Sequence, residues 1–94
     1  MPRFISLLKF TDQGAKEIKK STNRAHSFDS AAEKAGVKVE GQYWTIGRYD
    51  GVLIINAPDE MKALHLLSEL SANGNVRSET MIALSDKEFD RVAS

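Results

Sequence analysis

The first regular pattern along the chain is a strand with apolar side chains on both faces. In the stretch 3–10 the apolar residues alternate, with Phe4, Leu8 and Phe10 on one face and Ile5 and Leu7 on the other. A second stretch, 52–55, is continuously apolar, which is typical of a central strand that is covered on both sides. The pattern therefore predicts a sheet with two apolar faces.

A helical period follows the first strand over 12–35 and ends at Gly36. Its predicted inward positions are Ala15, Ile18, Thr22, Ala25, Phe28, Ala31, Ala32 and Ala35. Ser21, Thr22 and Asn23 are three adjacent poor helix formers in its middle. We therefore expect a break or kink there, with Ser21 or Thr22 capping the second piece.

The stretch 37–48 alternates as a strand should. One predicted face carries Val37, Val39, Gly41, Tyr43 and Thr45, and the other carries Lys38, Glu40, Gln42, Trp44 and Ile46. It leads into a turn region at 47–51. Two hairpin geometries fit this region, a tight turn at Asp50-Gly51 or a wider loop that starts at Gly47.

A second helix begins at Ala57-Pro58-Asp59-Glu60, with proline near its first position and acids in its first turn, and Gly74 ends it. Its predicted buried stripe consists of Met61, Leu64, Leu67 and Leu70, flanked by Ala63 and Leu66. A last strand covers 76–84. After it, Ser85 and Glu88 have the spacing of a capping box, which predicts a final helical turn.

The predicted order βαββαβ fits one domain over 1–94. Two βαβ halves joined by a hairpin give a four-stranded antiparallel sheet with two helices on one face, the ferredoxin-like arrangement of the α+β class. The uncovered face should be polar in a monomer, yet strands one and three are apolar there. We therefore expect a homodimer or larger homo-oligomer. The alternative is that the tail past Ser85 folds over part of that face.

Composition narrows the functional classes. Thirteen basic and thirteen acidic residues give zero formal net charge, so no long-range field attracts nucleic acid or an anionic membrane. No stretch approaches the ~18 apolar residues of a membrane span, and Lys9 interrupts the apolar run of the N-terminus, which argues against a signal peptide. Without cysteine there is no thiol chemistry, and we expect a cytoplasmic protein with no metal and no cofactor.

Tyr49 and Asp50 are the first candidates for a site. A phenol and a carboxylate in a shared cleft can bind a ligand or exchange a proton. The structural alternative is that the aspartate caps turn amides and the tyrosine packs its ring.

Arg77 and Glu79 share a strand face, and with Arg24 they can hold an anion or polar substrate inside a barrel. Outside a barrel, they form a solvated ion pair worth ~0–1 kcal/mol.

His26 precedes Asp29 by one helical turn, a spacing that can orient the imidazole as a base. His65 lies on the other helix, so the histidines make a poor metal set, and each is more typical of a surface residue. Trp44 can line a pocket, although a strand tryptophan more often lies in a core or interface. The ligand-binding candidates are Arg24, His26, Trp44, Tyr49, Asp50, Arg77 and Glu79. We expect at least three of the six other than Trp44 to line one cavity.

Several fragments of the sequence resemble the GYD-domain family. They are Gly47-Arg48-Tyr49-Asp50, Thr11-Asp12-Gln13-Gly14, Arg24, Ala57-Pro58-Asp59-Glu60 and Gly74-Asn75-Val76-Arg77-Ser78-Glu79-Thr80. The resemblance spans nearly the whole chain and implies a dimeric α+β barrel, in which two ferredoxin-like sheets pack face to face. It implies no assigned reaction. Gly51 stands where a larger apolar residue is expected, which leaves the hairpin register open.

The resulting functional interpretation is a small homo-oligomeric domain whose molecular role is unknown and whose expected ligand, if it has one, is a small molecule. One alternative is a cofactor-independent enzyme of the monooxygenase or isomerase type, which are reactions of the related superfamily, acting in the cleft between sheet and helices. A further alternative is a protein-interaction or regulatory module that works through the open sheet edges.

Overall fold

The computed structural model describes residues 2–94, so the first residue of the predicted domain lies outside the described residues. Its elements are β1 (Arg3–Phe10), α1 (Asp12–Lys16), α2 (Ser21–Lys34), β2 (Lys38–Trp44), β3 (Gly51–Asn56), α3 (Glu60–Ala72), β4 (Val76–Ala83) and α4 (Asp86–Ala93). No helix in this part of the chain has both the length and the apolar character needed to cross a membrane.

The four strands form one antiparallel sheet in the order β2-β3-β1-β4. β1 lies between β3 and β4, and it pairs with β4 from Arg3 opposite Ala83 to Phe10 opposite Val76. Both neighbours of β1 follow it in the sequence, so these pairings join the first half of the chain to the second. The strand number, order and direction confirm the predicted ferredoxin-like α+β fold.

The core lies between the sheet and helices α2 and α3. Ile55 of β3 has no exposed surface, and neither has Ala32 of α2 or Ala63 of α3. The other buried apolar members are Phe4, Phe28, Val37, Leu53, Ala57, Leu66 and Leu67. Ser6 is fully buried within this layer, and its hydroxyl is 2.8 Å from Thr80 Oγ1, which satisfies the buried polar group.

The first predicted helix is interrupted, but earlier than expected. A 3₁₀ turn, Ile18–Lys20, separates α1 from α2, and Ser21 is already helical. The prediction that Ser21 or Thr22 caps α2 is wrong, because the helix starts without a side-chain cap. Ala15, Ile18 and Thr22, which were predicted to face inward, are exposed.

β2 is shorter than predicted and contains a β-bulge. The register shifts between Val39, which lies opposite Ile55, and Gly41, which lies opposite Ile54. The extra residue reverses the facing of every later side chain in the strand. Val39 therefore packs on the core side while Tyr43 lies on the other face, and the prediction that the two share a face is wrong.

The hairpin between β2 and β3 uses the wider of the two predicted loops. Trp44 and Gly51 form the last strand pair. Beyond it, the amide of Thr45 donates to the carbonyl of Asp50 at 2.9 Å, which closes the base of the loop. Gly47 within the loop has a φ of 145°, a conformation that residues with a Cβ rarely adopt.

The buried stripe of α3 matches the predicted one at Leu67 and Leu70, which lie in or against the core, but not at its first two positions. Ala63, Leu66 and Leu67 are buried, whereas Met61 and Leu64 are 74% and 52% exposed. Both sets have helical spacing, so either of them could face the core by periodicity alone. Met61 and Leu64, which lie one turn apart, are named here the α3 outer surface.

The C-terminal segment forms a complete helix where a single turn was predicted. The predicted capping box is present, with Ser85 Oγ accepting from the Glu88 amide at 3.2 Å and Glu88 Oε1 accepting from the Ser85 amide at 2.8 Å. The hydrogen bonds from Ser85 hold the pKa of Glu88 below its ordinary value. Glu88 also lies 3.5 Å from Arg3, while Phe89 and Val92 remain exposed.

The face of the sheet turned away from α2 and α3 has an apolar centre. Strand register places on it Ile5, Leu7, Tyr43, Val52, Ile54 and Met81, which are named here the open sheet face. All six side chains remain partly or largely exposed. α4 buries none of its own residues, although its Glu88 lies 3.5 Å from Arg3 at one end of this face.

Candidate functional site

A cavity of about 350 Å³ lies between the sheet and helices α2 and α3. Its apolar lining includes Leu8, Phe10, Phe28, Leu53, Leu66 and Val76. Ala25 and Ala31 of α2 also line it, and their small side chains leave space beneath the helix. The volume falls within the ~300–1,000 Å³ scale of ligand pockets. This is the cleft between sheet and helices in which the enzyme alternative was expected to act.

Trp44 forms one wall of the cavity and connects β2 to α2. Its indole N–H donates to Ser21 Oγ at 2.8 Å. This bond engages the hydroxyl that was predicted to cap α2. Because Trp44 is half exposed, its ring borders both the cavity and the solvent.

Arg24 is the basic side chain of this cavity, and its hydrogen bonding is incomplete. Its Nη1 donates to the backbone carbonyl of Glu17 at 2.8 Å. Its Nη2 is shielded from solvent and has no acceptor within residues 2–94. A buried donor without an acceptor is unusual in a folded protein. Arg24 therefore has hydrogen-bonding capacity that these residues leave unused.

Asp50 lines the cavity from the hairpin and also extends the sheet. Its Oδ2 accepts from the Phe10 amide at 2.8 Å. Its own amide donates to the Leu8 carbonyl at 2.8 Å. Together these bonds continue the contact between β1 and the hairpin beyond the last strand pair. The carboxylate thus binds the amide of a neighbouring strand, whereas the structural alternative expected it to cap amides of its own turn.

Tyr49 extends away from the cavity, toward the other face of the sheet. Its O–H donates to Glu79 Oε2 at 2.9 Å, and Glu79 lies opposite Leu7 in the register of β1 and β4. This hydrogen bond raises the pKa of the Tyr49 phenol above its ordinary value. Arg77 shares the face of Glu79, so the predicted grouping of this pair with Arg24 does not form.

Of the six polar candidates, Arg24 and Asp50 line the cavity, which is one short of the three that the sequence predicted. His26 is exposed, and no hydrogen bond joins it to Asp29 in the described chain. His65 pairs instead with Glu69, with 2.9 Å between Nε2 and Oε1. Across residues 2–94, no group of three or more histidine and acidic side chains is arranged to hold a metal.

Several polar residues that the sequence did not single out complete the lining, namely Ser27, Gln42, Glu69, Asn73 and Asn75. They come from α2, β2, α3 and the loop before β4. The glycine between the two asparagines predicted only the end of α3. Nothing local in the sequence indicated that this loop reaches the cavity, because the contact depends on how β1 and β4 pair.

Two of the family-like segments meet beside the cavity. The Thr11 amide donates to the Asn75 carbonyl at 3.1 Å. Gln13 Nε2 donates to the Asn73 carbonyl and to Asn75 Oδ1, both at 3.0 Å. Gly14 is buried there, and a Cβ at this position would overlap the Asn75 carbonyl oxygen. The close contact of α1 with the loop therefore requires glycine at position 14.

Comparison with known proteins gives a consistent result. The GYD domain model matches residues 4–93. A curated protein of Thermus thermophilus, named "Glutamine synthetase and cystathionine beta-lyase binding protein", is 33% identical over 85 residues, covering 89% of this chain and 90% of that protein. No solved structure gives a significant match. Because the family model covers nearly the whole chain and the relative matches at almost full length, this chain belongs to the GYD-domain family.

Proposed function

We propose that this chain is a protein-binding domain that acts as a homodimer, and that its partner is a metabolic enzyme of the glutamine synthetase type. The Thermus thermophilus relative is named for binding glutamine synthetase and cystathionine beta-lyase, and it aligns over nearly its full length. The observation that carries the proposal is the presence of exposed apolar surfaces on both sides of the fold, the open sheet face and the α3 outer surface.

The open sheet face is assigned to a second copy of this chain. Charges of both signs border its apolar centre. At one end Arg3 lies 3.5 Å from Glu40, and at the other Arg77 and Glu79 lie on β4. A surface with balanced charges does not repel a copy of itself, and a two-fold axis places each patch against its own equivalent.

The free energy gained by burying apolar surface in such a contact is similar in size to the free-energy cost of association. Four strands about 4.8 Å apart and about seven residues long span roughly 450 Å². Taking half of this area as apolar, two copies bury roughly 450 Å² of apolar surface, which contributes about 11 kcal/mol. Association costs about 4–15 kcal/mol. Because the two quantities are similar, one charged substitution in the apolar centre is enough to prevent the dimer.

Replacing Ile54 by aspartate is therefore expected to convert the dimer into a monomer. Light scattering at micromolar concentration should give twice 10.4 kDa for the unaltered chain and 10.4 kDa for the variant. Met81→Asp, at a more exposed site on the same face, should act in the same direction without disturbing the fold. The control is Ile82→Asp, which changes an exposed isoleucine of β4 that faces away from the open sheet face. A mass of 10.4 kDa for the unaltered chain at every dilution would contradict the dimer.

The α3 outer surface is assigned to the enzyme partner. When two sheets pack face to face, the helical layer of each copy remains on the outside. On that layer Met61 and Leu64 expose large apolar side chains one helical turn apart, an arrangement that fits a groove on another protein. Their exposure adds nothing to the folding of this chain, which supports a role in recognition.

The double variant Met61→Glu with Leu64→Glu is expected to weaken binding to purified glutamine synthetase by about a hundredfold, since apolar anchors carry most interface energy. Biolayer interferometry with the full chain measures this. Lys62→Glu, which also adds negative charge to α3 at an exposed position, is the matched control and should change affinity by less than about fivefold. Loss of binding in Phe89→Glu, with normal binding in the double variant, would move the partner site to α4.

A further inference from the structure

The cavity has the properties of a small-ligand site, and neither residue of the α3 outer surface lines it. It is a cleft of about 350 Å³ that is partly open to solvent, a volume on the scale of small-molecule pockets. The alanines of α2 that line it keep the space open. Four of the seven aromatic residues of the chain (four Phe, two Tyr and one Trp) contribute to its lining, namely Phe10, Phe28, Tyr43 and Trp44. Such walls favour a flat apolar molecule.

The charged side chains of the cavity differ in whether they already have hydrogen-bonding partners. Asp50 already accepts from the Phe10 amide at 2.8 Å. Glu69 lies 2.9 Å from His65 Nε2. Arg24, in contrast, binds one backbone carbonyl through Nη1, and its Nη2 has no acceptor in the described residues. The missing group is therefore an acceptor with negative charge.

We propose that the cavity binds a small organic monocarboxylate with a ring-sized apolar body, whose carboxylate pairs with Arg24. The planar guanidinium matches a carboxylate through two parallel hydrogen bonds. The body then packs against Phe28 and Trp44. A single negative charge is favoured over two, because the carboxylates of Asp50 and Glu69 also line the cavity and repel a second negative charge. The site is independent of partner binding, which involves the outer side of α3.

Titration of the isotope-labelled full chain tests this site by NMR. Phenylacetate is the probe, and phenylacetamide is its neutral counterpart of the same shape. Phenylacetate should shift amide signals around the cavity and bind about tenfold or more tightly than phenylacetamide, the difference expected of a charge-assisted pair. Arg24→Met, which keeps an unbranched apolar stem but removes the guanidinium, should remove that difference while leaving phenylacetamide binding unchanged.

Two variants complete the experiment. Arg77→Met removes a cation from the opposite face of the sheet and should leave both affinities as they are. Ala25→Leu fills the cavity without changing any charge and should prevent binding of both probes, so the site remains testable even where Arg24→Met folds poorly. Equal affinities for the two probes, or an unchanged affinity for phenylacetate in Arg24→Met, overturn the pairing with Arg24. Shifts that lie only outside the cavity overturn the site.

Discussion

Replacing Gly14 by alanine is expected to lower the free energy of unfolding by about 2–3 kcal/mol, the usual scale of an overpacked contact. Alanine is the better helix former, and in an unobstructed helix this change stabilises by about 1 kcal/mol. In α1, however, the new Cβ would overlap the carbonyl oxygen of Asn75, which is backbone and cannot rotate aside. α1 must then move away from the loop, which also weakens the two hydrogen bonds donated by Gln13.

Chemical denaturation followed by circular dichroism measures this change. Lys16→Ala, in the same short helix but fully outside the contact, should alter the free energy of unfolding by less than about 0.5 kcal/mol. The sign of the change in the free energy of unfolding distinguishes the two causes. Helix propensity alone would make the Gly14→Ala variant more stable, whereas the steric overlap makes it less stable. A Gly14→Ala variant as stable as the unaltered chain would show that α1 does not lie against the loop before β4.

Replacing Asp50 by alanine is expected to lower the free energy of unfolding by about 2 kcal/mol, since it removes a charged acceptor and leaves the Phe10 amide unpaired. The same substitution should expose that amide to exchange, because the hairpin loop then loses its side-chain bond to β1. Asp50→Asn keeps an acceptor oxygen in place and should lose less than half as much stability. Urea denaturation and amide hydrogen exchange provide the two measurements.

Glu33→Ala serves as the matched control for Asp50, because it removes an acidic side chain from an exposed position on α2. It should leave both stability and the exchange of the Phe10 amide unchanged. Normal protection of that amide in Asp50→Ala would mean that the carboxylate does not hold β1. In that case a role in ligand binding would become the better account of this family-like residue.

The fold was predictable because its signals are strong and local. Glycines end the long helices at Gly36 and Gly74, where φ is 75° and 80°, values that glycine adopts without strain. The capping box of Ser85 and Glu88 is recognisable from two residues three positions apart. The two-sided apolar pattern of β1 follows from its central place in the sheet, between β3 and β4. Each of these signals can be recognised from residues that are close together in the sequence.

The errors arise where two local patterns compete. On α3, Met61 and Leu64 repeat with helical spacing, but so do Ala63, Leu66 and Leu67, and the second set is buried. Hydrophobicity alone favours the larger side chains, whereas the close approach of α3 to the sheet requires the small Ala63. Helical periodicity alone does not show which of two such stripes is buried, because that also depends on the distance between helix and sheet.

The site was less predictable than the fold because its members come from distant parts of the chain. Trp44 and Arg24 were selected for their chemistry, and they do line the cavity. Tyr49 and Glu79 were selected with them, yet they bind each other elsewhere. Which face a strand residue occupies depends on register, and a single bulge after Val39 reverses it. The chemistry of the side chains identifies candidate site residues, but the tertiary structure determines which of them lie together.

The central place of β1 determines the order in which this protein can fold. β2 and β3 are joined by a short loop, so their pairing needs little loss of chain entropy. β1 and β4 pair residues as distant as Arg3 and Ala83, and contacts of such long range form slowly. Until β4 has been synthesised, one edge of β1 has no partner and is open to pairing with other chains. During translation the sheet therefore remains incomplete until nearly the whole domain has left the ribosome.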